Sequence, residues 1–303
     1  MRTKAALLST LLLLLSAPGC AKTTGAGSRV EAGSTQPAAA RDTQARDTQA
    51  RDTQAPDLAA YFKPFPAGAF VLYDLKRGTY LRHDEARCRE RFSPFSTFKI
   101  PNSLIGLDSG VITDAEYVIK WDAQKYPAFN RDTLPFSAWW EDQTLRTAIK
   151  RSVVWYYREL ALKVGERRMR DYVHRLRYGN EDATGPLNGF WLNSTLKISA
   201  DEQVDFLRRL YKEELPVSKR AIRIVKDIIT LEETPDYKLS GKTGGGPLAE
   251  GRYLGWFVGY LETKDNTYFF ATEIEGPSYI SIRDERIALT KRILAGLGHV
   301  LKQ

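Results

Sequence analysis

Tyr237-Lys-Leu-Ser-Gly-Lys-Thr-Gly-Gly-Gly246, Tyr253-Leu-Gly-Trp-Phe-Val-Gly-Tyr-Leu261 and Thr267-Tyr-Phe-Phe-Ala-Thr-Glu273 follow one another near the end of the chain. The first reads as a strand ending in a glycine-rich turn, the other two as buried strands rich in aromatic side chains. A second strand signal lies far upstream. Gly68-Ala-Phe-Val-Leu-Tyr-Asp74 and Thr79-Tyr-Leu-Arg-His83 flank Lys76-Arg77-Gly78, a strand, turn and strand. From Thr97 to about Leu231 the spacing is mostly helical. Leu145, Ala148, Ile149, Val153, Tyr156 and Leu160 mark one stretch, Glu166–Arg177 a second and Asp201–Tyr211 a third. A last amphipathic helix covers Arg283 to Leu297. The pattern predicts a mixed α/β (α+β) domain: an antiparallel sheet built from both ends, flanked by helices, with an inserted helical lobe. The groove between sheet and lobe is the expected site.

Outside this domain the composition changes. Arg2 and Lys4, an apolar run from Ala5 to Leu15, and Ser16-Ala-Pro-Gly-Cys20 read as a secretory signal, because a membrane-spanning helix needs roughly 20 apolar residues. Residues 1–19 are the expected signal peptide, and Cys20 resembles the lipidated first residue of a bacterial lipoprotein. Residues 20–56 carry Arg-Asp-Thr-Gln-Ala three times, at 41–45, 46–50 and 51–55. A pentamer without a large apolar residue cannot bury a face, so this segment reads as a tether. The folded unit is then residues 57–303, expected in the periplasm or cell envelope and held to the membrane through Cys20.

Of the 303 residues, 45 are basic and 37 acidic, a net +8; the 57–303 unit keeps 38 basic against 33 acidic. That mild excess suits small anionic substrates better than nucleic acid. Cys20 and Cys88 rule out a disulfide scaffold, and Cys88 reads as a buried small hydrophobe. His83, His174 and His299 have no metal-ligand spacing, so neither a metal site nor a serine–histidine triad is expected.

Four short motifs carry the chemistry. Ser96-Thr-Phe-Lys99 opens an apolar helix, where a lysine three residues on can reach the serine hydroxyl. Such a lysine acts as a base only when neutral, which means overcoming a free pKa of about 10.4. The same pattern recurs as Ser194-Thr-Leu-Lys197, in a polar stretch without a helix signal. Ser152-Val-Val154 falls inside the helical stretch that starts at Thr144, and Tyr178-Gly-Asn180 reads as a helix stop. Lys242-Thr-Gly244 lies at a strand end; it lacks the upstream glycine of a phosphate loop.

Together and in this order the motifs resemble the penicillin-recognising serine enzymes, in detail the class D (oxacillinase-type) β-lactamases. Phe92-Ser-Pro-Phe-Ser-Thr-Phe-Lys-Ile-Pro-Asn-Ser103, Phe190-Trp-Leu192 with Leu196-Lys-Ile-Ser-Ala200, and Gly255-Trp-Phe-Val-Gly-Tyr260 extend the resemblance across Phe70 to Leu297. The chain departs from the family at Lys125–Trp140, which is longer than in commonly studied members, and at Phe95, where some relatives carry cysteine. Ser-Asp-Asn, expected of class A enzymes, is absent.

The resemblance implies hydrolysis of the β-lactam amide through an acyl-serine on Ser96. Lys99 would be the general base, carbamylated by dissolved CO2 (N6-carboxylysine), and Trp191 would donate its indole N–H to the carbamate. Ser152 would relay a proton to the leaving nitrogen, and Val154, Phe98 and Trp191 would wall the site. Lys242, Thr243, Gly244 and Gly245 would line the substrate, with Arg286, or its neighbour Arg283, completing a carboxylate clamp. The amides of Ser96 and Gly245 resemble an oxyanion hole. Apart from CO2 or bicarbonate no cofactor and no metal are implied. The alternatives are a D,D-peptidase or transpeptidase, a β-lactam sensor that stays acylated, and a non-catalytic cell-wall-binding lipoprotein.

Overall fold

The computed structural model describes residues 57–129 and 136–299, so the expected signal, tether and Cys20 lie outside the described residues. Helix α1 (Ala59–Phe62) precedes β1 (Gly68–Asp74), β2 (Thr79–His83) and α2 (Glu85–Arg89). After a 3-10 turn at Phe95–Phe98 come α3 (Lys99–Asp108), β3 (Val118–Ile119), β4 (Gln143–Thr144), α4 (Leu145–Lys150), α5 (Val154–Val164), α6 (Glu166–Arg175), α7 (Ala200–Tyr211) and α8 (Lys219–Ile228). The chain returns to the sheet as β5 (Thr230–Glu233), β6 (Tyr237–Pro247), β7 (Tyr253–Thr263) and β8 (Thr267–Gly276), then forms α9 (Tyr279–Arg283) and α10 (Glu285–Gly296).

The main sheet is antiparallel throughout, in the order β2-β1-β8-β7-β6-β5, so the N-terminal hairpin docks on the last strand. This is the α+β architecture expected from strands at both ends. Period-two alternation gives the sheet two apolar faces. Val71, Trp256, Val258, Phe269 and Ala271 face the helical lobe. Phe70, Phe257, Phe270 and Ile274 pack on the other side against Leu289, Ile293 and Leu294 of α10. Cys88 is buried, its thiol 3.2 Å from the His83 carbonyl, and burial pushes it up to about 12. It has the environment of a packing residue rather than a reactive thiol.

Two local expectations are corrected. The glycines after Lys242-Thr243 form no turn: Gly244, Gly245 and Gly246 continue β6, paired with Trp256, Gly255 and Leu254. Tertiary packing explains them, because a Cβ at Gly244 would lie 2.7 Å from the Pro94 carbonyl oxygen and one at Gly246 2.2 Å from the Phe95 ring. The helix expected through Ser152 is broken there. Ser152 has φ 59°, and α5 begins only at Val154. The expected last helix is found as α10, preceded by the short α9.

Candidate active site

Ser96 sits on the 3-10 turn that feeds α3, with Lys99 as the first residue of that helix. Pro101 is tolerated because it falls in the first turn, where no intrahelical N–H is required. The turn is braced from three sides. The Phe95 amide donates to the Trp191 carbonyl at 3.1 Å, the Trp256 indole to the Ser93 carbonyl at 3.1 Å, and Gln203 to the Thr97 hydroxyl at 2.8 Å. Phe95 itself has φ 49°, a left-handed conformation held by its ring against Gly246.

The Lys99 Nζ donates to the Ser96 Oγ at 2.7 Å. Its amine is 1% exposed, and burial, aided by the positive charge of Arg158, pulls it down to about 7. The walls are apolar: the Tyr157 ring centroid is 5.3 Å from Nζ, and Phe98 stacks on Trp191 at 5.4 Å. Trp191 is 1% exposed and its Nε1 has no hydrogen-bond partner. A buried donor left unpaired is costly, and it would suit an anionic acceptor oxygen such as a carbamate on Lys99 would supply.

On the facing strand the Lys242 Nζ donates to the Thr243 carbonyl at 2.9 Å and lies 3.3 Å from the Thr243 hydroxyl. Burial holds the Lys242 amine well below its usual range, with Lys99 and Arg286 adding like charge. Arg286 is 4% exposed and donates through Nη1 to the Gly244 carbonyl, while its Nε has no partner. Arg283, in contrast, is spent on Asp284 at 2.7 Å. Of the two arginines considered for the clamp, Arg286 is therefore the buried one with donor capacity to spare.

Ser152, Thr243, Gly244 and Arg286 line one cavity of ≈ 380 Å³, together with Lys150, Arg151 and Tyr279. Gly244 also abuts Pro94 and Thr97, which joins this cavity's strand to the serine turn. The Gly241 amide donates to Ile229 at 2.9 Å, just before β5. Alternation along β6 turns the amides of Thr243 and Gly245 the same way, beyond the point where β5 covers that edge. Val154 is half-buried and three residues ahead of Tyr157, hence on the same face of α5.

Further residues, some within the motifs and some outside them, brace the site. The Tyr157 hydroxyl is 2.9 Å from Ser103, whose own Oγ donates 2.7 Å to the Lys99 carbonyl. The second Ser-x-x-Lys pattern is a brace: Lys197 reaches Ser93 at 2.9 Å, on the loop leading to Ser96. Tyr178 packs edge-on to Phe98 at 5.6 Å. Gly179 has φ 59°, and a Cβ there would come within 2.0 Å of the Lys197 carbonyl. Asn180 then clamps the Trp191 loop, accepting from the Lys197 amide and donating to the Thr195 carbonyl, each at 2.9 Å. Around the long Lys125–Trp140 segment, Phe129 packs on Phe136 and Trp140, at 5.3 and 4.9 Å. Trp139 donates from its indole to the Arg151 carbonyl at 2.9 Å and accepts from Trp155 at 2.7 Å, which fixes the break that carries Ser152.

Comparison with known proteins agrees with this arrangement. The penicillin-binding-protein transpeptidase domain matches residues 68–295. β-Lactamase OXA-48 of Klebsiella pneumoniae is 41% identical over 227 residues, 75% of this chain and 82% of that protein. The regulatory protein BlaR1 of Bacillus licheniformis is 38% identical over 221 residues, 73% of this chain but 35% of the longer regulator. The crystal structure of the class D β-lactamase YbXI from Nostoc superposes with a TM-score of 0.74 at 38% identity, over 80% of this chain and 99% of that one. The chain belongs to the penicillin-binding-protein transpeptidase family and, within it, to the class D β-lactamases.

Proposed function

We propose that the chain hydrolyses the amide bond of penicillin-type β-lactams through an acyl-serine on Ser96. The observation that carries this reading is the 2.7 Å contact between Ser96 and a buried Lys99 whose amine titrates at about 7. A serine hydroxyl is a weak nucleophile until a neighbour takes its proton, and Lys99 is that neighbour. Ser96 Oγ forms a bond to the lactam carbonyl carbon while the carbonyl π pair moves onto oxygen, toward the amides of Ser96 and Gly245. Losing one such donor costs about 3 kcal/mol in comparable sites. Collapse of that oxyanion breaks the C–N bond, and Ser152 passes a proton to the leaving nitrogen. Water then adds to the acyl carbon, the bond to Oγ breaks, and Ser96 regains its proton.

Addition of CO2 to the neutral Lys99 amine forms an N–C bond and releases one proton, and the resulting carbamate supplies a general base for both halves of the reaction. Phe98, Tyr157 and Trp191 keep the surroundings of Lys99 apolar, and the Trp191 indole would hold the new oxygen. Lys242, Thr243 and Arg286 bind the substrate carboxylate, the arginine through a planar fork. Arg286 rather than the alternative Arg283 takes that role in this reading, since Arg283 is already paired with Asp284.

Steady-state hydrolysis of oxacillin by the full-length chain, with and without bicarbonate, tests the activity. Turnover stimulated by bicarbonate is expected; a stable Ser96 adduct without turnover would favour a sensor or transpeptidase. For the N-terminal segment we propose export and anchoring through a lipid on Cys20. Growth in labelled palmitate should label the wild type and spare Cys20→Ser; equal labelling of both contradicts the anchor.

A further inference from the structure

The cavity of ≈ 380 Å³ that contains Ser152 and Arg286 holds more positive charge than one substrate carboxylate uses. Its walls carry Lys150 and Arg151 from the end of α4, Arg283 and Arg286 from the last two helices, and a single carboxylate, Asp284. Two of these four cations are neutralised: Arg151 pairs with Glu141, and Arg283 with Asp284 at 2.7 Å. Arg286 is buried with an unpartnered Nε. Lys150 is exposed, and no ion pair or hydrogen bond engages its amine among the described residues. Two unmatched positive charges therefore border one space. It has room for about a dozen water-sized groups, far more than a carboxylate fills. The Tyr279 ring, its centroid 5.7 Å from the Arg286 guanidinium carbon, and Ile287 add apolar wall on which a flat ring can lie.

Substrate chemistry says what that space receives. In a cephalosporin the carboxylate sits on the ring carbon bonded to the lactam nitrogen, and the next ring carbon, C3, carries a variable substituent. Ser152, assigned above to the leaving nitrogen, and Arg286, assigned to the carboxylate, line the same cavity, so the C3 substituent projects into it too. We propose that Lys150 is a specificity-determining residue that favours β-lactams with a second anionic group on this side, such as an acidic heterocycle at C3. The inference rests on the β-lactam reading above. The chain break sets the lysine in place. Helix α4 ends at Lys150, Ser152 turns the chain with φ 59°, and the Trp139 indole holds the Arg151 carbonyl between them at 2.9 Å. Lys150 and Ser152 are thereby presented to one cavity.

Ceftriaxone, cefotaxime and cefepime test this, because they share one acyl side chain and carry an anionic, a neutral and a cationic C3 group. Each is titrated as a competitor of oxacillin hydrolysis by the full-length chain in bicarbonate. Initial rates then give a Ki whether or not the competitor is itself hydrolysed. In Lys150→Gln the ratio of the ceftriaxone Ki to the cefotaxime Ki should rise about threefold over wild type, the size of an exposed charge pair. The ratio for cefepime to cefotaxime should fall by a similar factor. Lys150→Glu should enlarge both changes to roughly tenfold, Lys150→Arg should keep the wild-type ratios, and salt at about 1 M should erase the differences. Melting curves check folding, and Lys150→Ala takes the place of Lys150→Gln if the latter is unfolded. Ratios unchanged in the neutral and acidic variants overturn the inference alone and leave Lys150 an ordinary solvated lysine, as does ceftriaxone failing to compete at all. Absence of oxacillin turnover in the wild type removes the hydrolase reading and this inference together.

Discussion

Two groups of buried charge lie against the same sheet, and they are built on opposite plans. Behind the serine loop, Arg87 donates to Glu273 at 2.6 Å and to Glu275 at 2.5 Å, and Arg252 reaches Glu275 at 2.6 Å. Arg87 also stacks on Phe92, so the cluster anchors the start of the serine loop. Every charge there has an opposite partner. In front of that loop, Lys99, Lys242 and Arg286 are buried together with no carboxylate acting on the two lysines. Unpaired buried charge is expensive, and a fold keeps it where something anionic arrives. The first cluster is finished by folding; the second, on the function proposed above, would be completed by substrate and CO2.

The comparison breaks most visibly by removing one member from each cluster. Lys99→Ala should lower kcat for oxacillin by at least about a thousandfold, the scale of a lost acid–base group, with little change in melting. Arg87→Met should do the reverse. It strands Glu273, leaves Glu275 with Arg252 alone, and should cost about 3–5 kcal/mol in urea unfolding, while the folded fraction keeps a kcat within a few-fold of wild type. Equal effects of both variants on kcat would erase the distinction.

Arg286→Ala comes next. Loss of a fork to the substrate carboxylate should raise KM by roughly a hundredfold, worth about 2–3 kcal/mol, with partial recovery in Arg286→Lys. Steady-state kinetics over a wide substrate range checks the split between KM and kcat.

The two clusters should also pull stability in different pH windows. Lys99 titrates at about 7 when folded and at about 10.4 when unfolded. The unfolded chain therefore binds more protons between these values, and stability rises with pH across that window; Lys242 acts with the same sign. Burial pushes Glu273 the other way, from 4.5 up to about 7, outweighing its bonds to Arg87. Its contribution is full below about 4.5 and fades as pH climbs to about 7. Urea midpoints from pH 5 to 10 should show the upper rise shrink in Lys99→Met and the lower fall vanish in Glu273→Gln. The smallest effect belongs to Tyr157→Phe, which keeps the ring under Lys99 and removes the bond to Ser103, for about 1 kcal/mol.

Much of the fold could be read in advance because its strands announce themselves locally. The hairpin Gly68–Asp74 and Thr79–His83 alternates and turns at a glycine, and it is found at those bounds. Misreadings occurred where the deciding contact is distant in sequence. Gly244–Gly246 looks like a turn because nothing nearby reveals that Pro94 and Phe95 press on it. Ser152 looks helical because the Trp139 indole that captures the Arg151 carbonyl lies outside the helical window. Ser96 and Lys99 were legible since both lie on one turn, and so was the Lys242 strand. Tyr157 was not, because its place under the Lys99 amine comes from the packing of α5 against α3.

The central claim is that the unpaired cluster serves β-lactam turnover. Intact-mass spectrometry of the full-length chain during oxacillin hydrolysis in bicarbonate tests it most directly. The account predicts a transient acyl adduct on Ser96 that decays as product appears, and its persistence in Lys99→Ala if that variant acylates at all. An adduct on wild-type Ser96 that never decays, or hydrolysis that continues in Ser96→Ala, would contradict it.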